Sequence, residues 1–87
     1  MPTVLRAGRF RFYFFSNEGQ EPPHIHVKAA EKQAKYWLDP VELAAIYSFN
    51  TRELSTIEWI VREYRDDFLE AWNEHQSAQA DPRQTDK

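Results

Sequence analysis

Two histidines one residue apart, His24 and His26, follow a Pro22-Pro23 step and precede Lys28. Alternate side chains of an extended strand share a face, so the two imidazoles and the Lys28 ammonium project together. Ile25, Val27 and Ala29 then form the opposite, apolar face. The preceding loop carries Glu18 and Glu21, which brings carboxylates to the strand start.

Three kinds of work fit that arrangement. Two imidazoles on one strand can begin a zinc, iron or manganese site that a Glu completes. Gly19, His24, His26 and Glu31 also follow the spacing of a cupin metal motif, but that fold needs a longer barrel and another His-bearing strand. The remaining histidine, His75, lies far along the chain, so no metal or other cofactor is expected. A histidine pair titrating near neutrality can instead serve as acid and base in metal-free RNA cleavage, with Arg11, Lys28 or Lys35 stabilising the phosphorane. The third reading is recognition without chemistry. A sheet face showing Arg11, Tyr13, His24, His26, Lys28 and Lys35 combines cations with rings, which suits single-stranded RNA or an acidic protein. The simplest alternative to all three is a solvated face with one partly covered aromatic cluster.

The elements that must position these groups follow from two periodicities. Thr3 to about Leu38 consists of short β-branched and aromatic runs broken by Gly, Pro and Asn, which predicts strands near 3–6, 10–16, 24–29 and 33–38. On the second of these, Phe10, Phe12 and Phe14 share one face and Arg11, Tyr13 and Phe15 the other. Asn17 to Pro23 reads as a loop, Ala30-Glu31-Lys32 as a hairpin turn, and Val41 to Tyr47 as either a short strand or a helical turn. Beyond it, Leu54, Ile57, Val61, Tyr64, Phe68 and Trp72 recur every three or four residues and predict one helix from about Thr51 to His75. Asn50 followed by Glu53 forms a capping box at its start. The expected fold is α+β: a small, mostly antiparallel sheet of three to five strands packed on one long C-terminal helix. Residues 1–76 make a single domain and 77–87 a disordered tail.

Composition narrows the function classes. The 87 residues include 13 aromatics and 41% apolar residues, enough for one small core. No cysteine is present, which excludes disulfides, a thiol nucleophile and a thiolate metal site. No apolar run is long enough to cross a membrane and no signal-peptide stretch opens the chain, so a cytoplasmic location is expected. The net charge of −3 conceals a division. Residues 1–37 hold six basic and three acidic groups, a balance of +3, whereas residues 38–87 hold five basic and eleven acidic groups, a balance of −6. The first part is suited to an anion; the second repels one.

Met1-Pro2-Thr3-Val4-Leu5-Arg6, Phe10 to Glu18, Pro22-Pro23-His24-Ile25-His26-Val27, Ala34 to Leu38, Pro40 to Ala44 and Leu69 to Asn73 resemble a bacterial family, domain of unknown function 4160. The Pro-Pro-His-x-His-Val block is its most specific feature, and the likeness spans about residues 1–75. Members are small bacterial proteins encoded beside domain of unknown function 2442 proteins, in pairs that look like toxin–antitoxin modules. The resemblance thus implies a toxin-like component with a cognate antitoxin-like partner from a neighbouring gene. It supplies no catalytic residues. His24 and His26 as the catalytic pair, and Arg11, Tyr13, Lys28 and Lys35 as RNA- or phosphate-binding groups, come from the residues alone. A non-catalytic protein-binding module is the alternative, and covering an apolar face by a second copy, a homodimer, is a further expectation.

Overall fold

The structure is a computed structural model that describes residues 3–15 and 21–80, with side chains described through Gln76. Five strands run in chain order: β1 (Thr3–Ala7), β2 (Phe10–Tyr13), β3 (His24–Ala29), β4 (Lys32–Leu38) and β5 (Val41–Tyr47). Each is antiparallel to its sequence neighbour, so the sheet is a meander of order β1-β2-β3-β4-β5. Three of the connections are two-residue turns: Gly8-Arg9, Ala30-Glu31 and Asp39-Pro40. Gly8 and Ala30 open their turns with φ of 61° and 56°, the positive values that let a tight turn match the twist of the flanking strands. Val41–Tyr47 resolves as a strand because Asp39-Pro40 turns the chain back along β4.

Alternation decides what the sheet buries. Phe10, Phe12, Phe14, Ile25, Val27, Ala34, Tyr36 and Leu38 form the inner face, under Phe49, Ile57, Ile60, Val61, Phe68 and Trp72. Phe12 stacks on Phe68 at 5.5 Å and Phe14 meets the edge of Trp72 at 5.4 Å. Several of these side chains are fully enclosed, and each such burial contributes roughly 1.5–3 kcal/mol. β2 ends at Tyr13 rather than residue 16, and Phe14 and Phe15 continue without a strand partner.

The helical part differs from expectation. Two helices, α1 (Thr51–Glu63) and α2 (Arg65–Ala80), replace the single long one. The break falls at Tyr64, which caps α1 and is 37% exposed instead of buried in the apolar stripe. Arg65 holds the junction to the sheet: its Nε donates to the Leu38 carbonyl at 2.8 Å and its guanidinium pairs with Asp39 at 2.9 Å. Anchoring the junction to the β4–β5 turn lets Phe68 and Trp72 reach the sheet on a new axis. α2 also extends to Ala80, past the expected domain end at residue 76; the rest of the tail lies outside the described residues, as does most of the expected Asn17–Pro23 loop.

The start of α1 is as the sequence indicates. Asn50 Oδ1 accepts from the Glu53 N–H at 2.8 Å, and Glu53 Oε1 accepts from the Asn50 N–H at 3.0 Å. The other oxygen of buried Glu53 accepts from Arg9 in the β1–β2 turn and from Lys32 at the start of β4, both at 2.7 Å. One carboxylate therefore joins two hairpins to the helix. The Lys32 hydrogen bond, and after it the Asn50 amide, hold its pKa below the usual carboxylate value.

Candidate nucleic-acid interface

The outer sheet face carries the candidate residues, and the ladder places them in rows. Arg6 pairs with Arg11, Arg11 with Lys28, Lys28 with Gln33, and Gln33 with Tyr47. This row crosses all five strands and opens with three cations directly opposite one another. Neighbouring strands are about 4.8 Å apart, and like charges set opposite destabilise a sheet. Among the described residues none of the three has a carboxylate partner. Arg11 donates instead to Thr3 Oγ1 at 2.8 Å and lies 5.1 Å above the Tyr13 ring, a cation–π arrangement that holds the guanidinium flat on the face.

The next outer row runs Thr3, Tyr13, His26, Lys35 and Ala45. Tyr13 and His26 stack at 5.5 Å, and Phe15 meets His26 edge-on at 4.4 Å. Tyr13 lies on the expected face but is only 2% exposed. It is a floor under Arg11 and His26 rather than a ring open to bases. His26 and Phe15 are half-buried and Tyr47 is 65% exposed; with Gln33 and Lys35 they border a shallow groove of about 220 Å³. Lys35 is held by Glu21 at 2.6 Å, with its ammonium 4.6 Å from the Trp37 ring centre.

His24 faces the same side as His26 but is fully buried. α2 closes over that end of the sheet, bringing Trp72 within 4.8 Å of the His24 ring, while Trp37 stands 5.7 Å away. Nδ1 lies 2.9 Å from the Pro22 carbonyl. An N–H must bridge that gap, because a carbonyl can only accept. The expectation of two outward imidazoles is thus corrected to one buried ring and one at the groove. Among the described residues no three His, Asp or Glu side chains converge to hold a metal. Glu31 sits in the turn beyond the far end of β3, and His75 bonds to the Phe15 carbonyl at 3.1 Å; Gly19 and Glu18 lie outside the described residues.

Arg6 and Tyr47 were absent from the expected site. A two-residue turn at Gly8-Arg9 would have placed Arg6 opposite Arg11, and Tyr47 required β5 to be a strand. Across the molecule, the uneven charge becomes two sides. Arg6, Arg11, Lys28 and Lys35 line the outer sheet face, and Glu63, Asp66, Asp67, Glu70 and Glu74 are exposed on the helices, where they outnumber Arg52, Arg62 and Arg65.

The family described as Domain of unknown function (DUF4160) matches residues 9–73. The chain belongs to this family. Its matched span runs from the first hairpin turn to the middle of α2 and includes the His24–Lys28 strand, the Glu53 joint and Trp72. For this DUF4160 domain, no curated protein and no solved structure matches. Among the described residues, no helix is long and apolar enough to cross a membrane.

Proposed function

We propose that this DUF4160 chain is an RNA-binding component of a bacterial two-gene module of the toxin–antitoxin type, acting in the cytoplasm and restrained by a protein from the neighbouring gene. The observation that carries RNA binding is the row Arg6-Arg11-Lys28, three adjacent cations that have no carboxylate partner among the described residues, on a face opposite the acidic helices. Such a row suits a phosphate backbone, which supplies the countercharge the sheet does not. The half-buried His26 and Phe15 and the exposed Tyr47 beside it offer ring surface to unpaired bases, and Lys35 lies at the groove edge. The module role rests on the family resemblance.

Binding is favoured over cleavage. Acid–base cleavage needs two groups at the scissile phosphate, and His24 is enclosed with its Nδ1 directed at Pro22. His26 alone reaches the groove.

The test is titration of labelled single-stranded RNA with the full chain across a salt series. Three phosphate contacts give a logarithmic salt slope of about −2, and Arg11→Glu with Lys28→Glu should abolish binding while the chain stays folded. Binding unchanged in that double variant, or no binding at low salt, refutes the reading. Induced expression of wild type beside the same variant tests the module role: growth arrest that the variant relieves is expected, and unhindered growth with folded wild-type protein overturns it.

A further inference from the structure

β5 is an edge strand of a kind that soluble proteins ordinarily protect. It pairs with β4 on one side only. Six of its seven residues are exposed, including Leu43 at 42%, Ile46 at 47% and Tyr47 at 65%. It contains no proline and no lysine, and its single charge is Glu42. The opposite edge, β1, is shorter and carries Arg6, and charge is a device that blocks edge-to-edge pairing. Each edge strand holds one register irregularity, at Val4 in β1 and at Ala44 in β5; the extra residue in β5 puts Leu43 and Ile46, three positions apart, on one face.

We infer that β5 pairs antiparallel with β5 of a second copy of this chain, forming a continuous ten-stranded sheet. The strand's own side chains identify the occupant. Leu43 pairs with Tyr36 and Ile46 with Ala34, so both stand on the helix side of the sheet, where α1 leaves them uncovered. With Ala44 of one copy opposite Ala45 of the other, Leu43 meets the second copy's Ile46, and the same contact recurs across the two-fold axis. Glu42 then faces Tyr47, so no charge opposes its like. A chain of different sequence would have to bring that complementarity with it; a second copy already has it. The two-fold axis stands perpendicular to the sheet, so the two outer faces look the same way and both cationic rows lie on one surface.

This inference shares Tyr47 with the proposed RNA-binding face but none of its cations, and its test is read without RNA. Sedimentation equilibrium of the full chain through the micromolar range should give twice the monomer mass. Leu43→Lys with Ile46→Lys should give the monomer mass with an unchanged circular dichroism spectrum. Tyr47→Glu sets a second carboxylate opposite Glu42 and should weaken the dimer at least tenfold, whereas Tyr47→Lys sets an opposite charge there and should retain it. The single substitutions decide the question if the double variant loses its fold. A monomeric wild type overturns the inference and leaves the edge to a strand of another protein. A dimer indifferent to Leu43→Lys/Ile46→Lys and to Tyr47→Glu places the interface elsewhere and also overturns it.

Discussion

Arg11 stands directly opposite Lys28 in the β2–β3 ladder, with Arg6 opposite Arg11 on its other side. This relationship opposes stability and favours a polyanion, so the two properties should respond in opposite directions to one substitution. Lys28→Glu turns a repulsive pair into an attractive one and is expected to raise stability by about 0.2–1 kcal/mol. The same substitution should weaken RNA binding. Urea unfolding and RNA titration of one preparation check both, and a loss of stability would remove the electrostatic account of this row.

His24 and His26 should separate cleanly on substitution. His24→Ala empties a buried site between Trp72 and Trp37 and removes the hydrogen bond to the Pro22 carbonyl, a bond worth about 0.5–1.5 kcal/mol in addition to the cavity left behind. His26→Ala, at a half-buried position, loses ring contacts with Tyr13 and Phe15 and should lower the melting transition less than His24→Ala does while reducing RNA affinity. Thermal melts of the two single variants distinguish them.

Trp72 closes the core over Phe14 and His24. Trp72→Ala is expected to cost about 3–5 kcal/mol, a large fraction of what a domain this small possesses. Denaturant titration checks it, and a transition matching wild type would mean that α2 does not seal this end of the sheet.

Glu53 links stability to acid. Its carboxyl ionises below 4.5 in the folded chain, so the folded state binds fewer protons than the unfolded state in that range. Its contribution is therefore complete above the unfolded value and is lost as the pH falls through the folded one. Glu53→Gln should be less stable than wild type at neutral pH, and the gap should narrow on acidification. Unfolding curves at a series of acid pH values measure it.

Tyr36 does the reverse at the alkaline end. Burial, and after it the Glu58 charge, raise its pKa from 10.0 to about 12. Stability linked to the neutral phenol is present below 10.0 and lost as the pH rises through about 12. Ultraviolet titration should show a tyrosine ionising near pH 12 that Tyr36→Phe removes.

Much of this architecture is legible in the sequence, for local reasons. The alternation of Phe10, Phe12 and Phe14 against Arg11 and Tyr13, the shared face of His24, His26 and Lys28, and the Asn50–Glu53 box each depend on residues only a few positions apart. What was not legible depends on distant partners. The break at Tyr64 is tied to Arg65 reaching across to Leu38, and the burial of His24 depends on α2 carrying Trp72 to the far end of β3. The cationic row needed the pairing of Gly8-Arg9 as a two-residue turn, which fixes Arg6 opposite Arg11. A periodicity can assign a face to a residue, but not whether a remote helix covers it.

The meander has a consequence for how the chain is made. Every strand pairs with its sequence neighbour, so the sheet has few long-range closures to wait for and can assemble early. Until α1 and α2 pack against it, a sheet formed in this way has Phe12, Ile25, Val27 and Tyr36 facing water. A nascent chain in that state is adhesive through its inner face as well as its edge. Docking of α1 and α2 is therefore the shielding step, and a fragment ending at Asn50 would hold the sheet without its cover and call on chaperones.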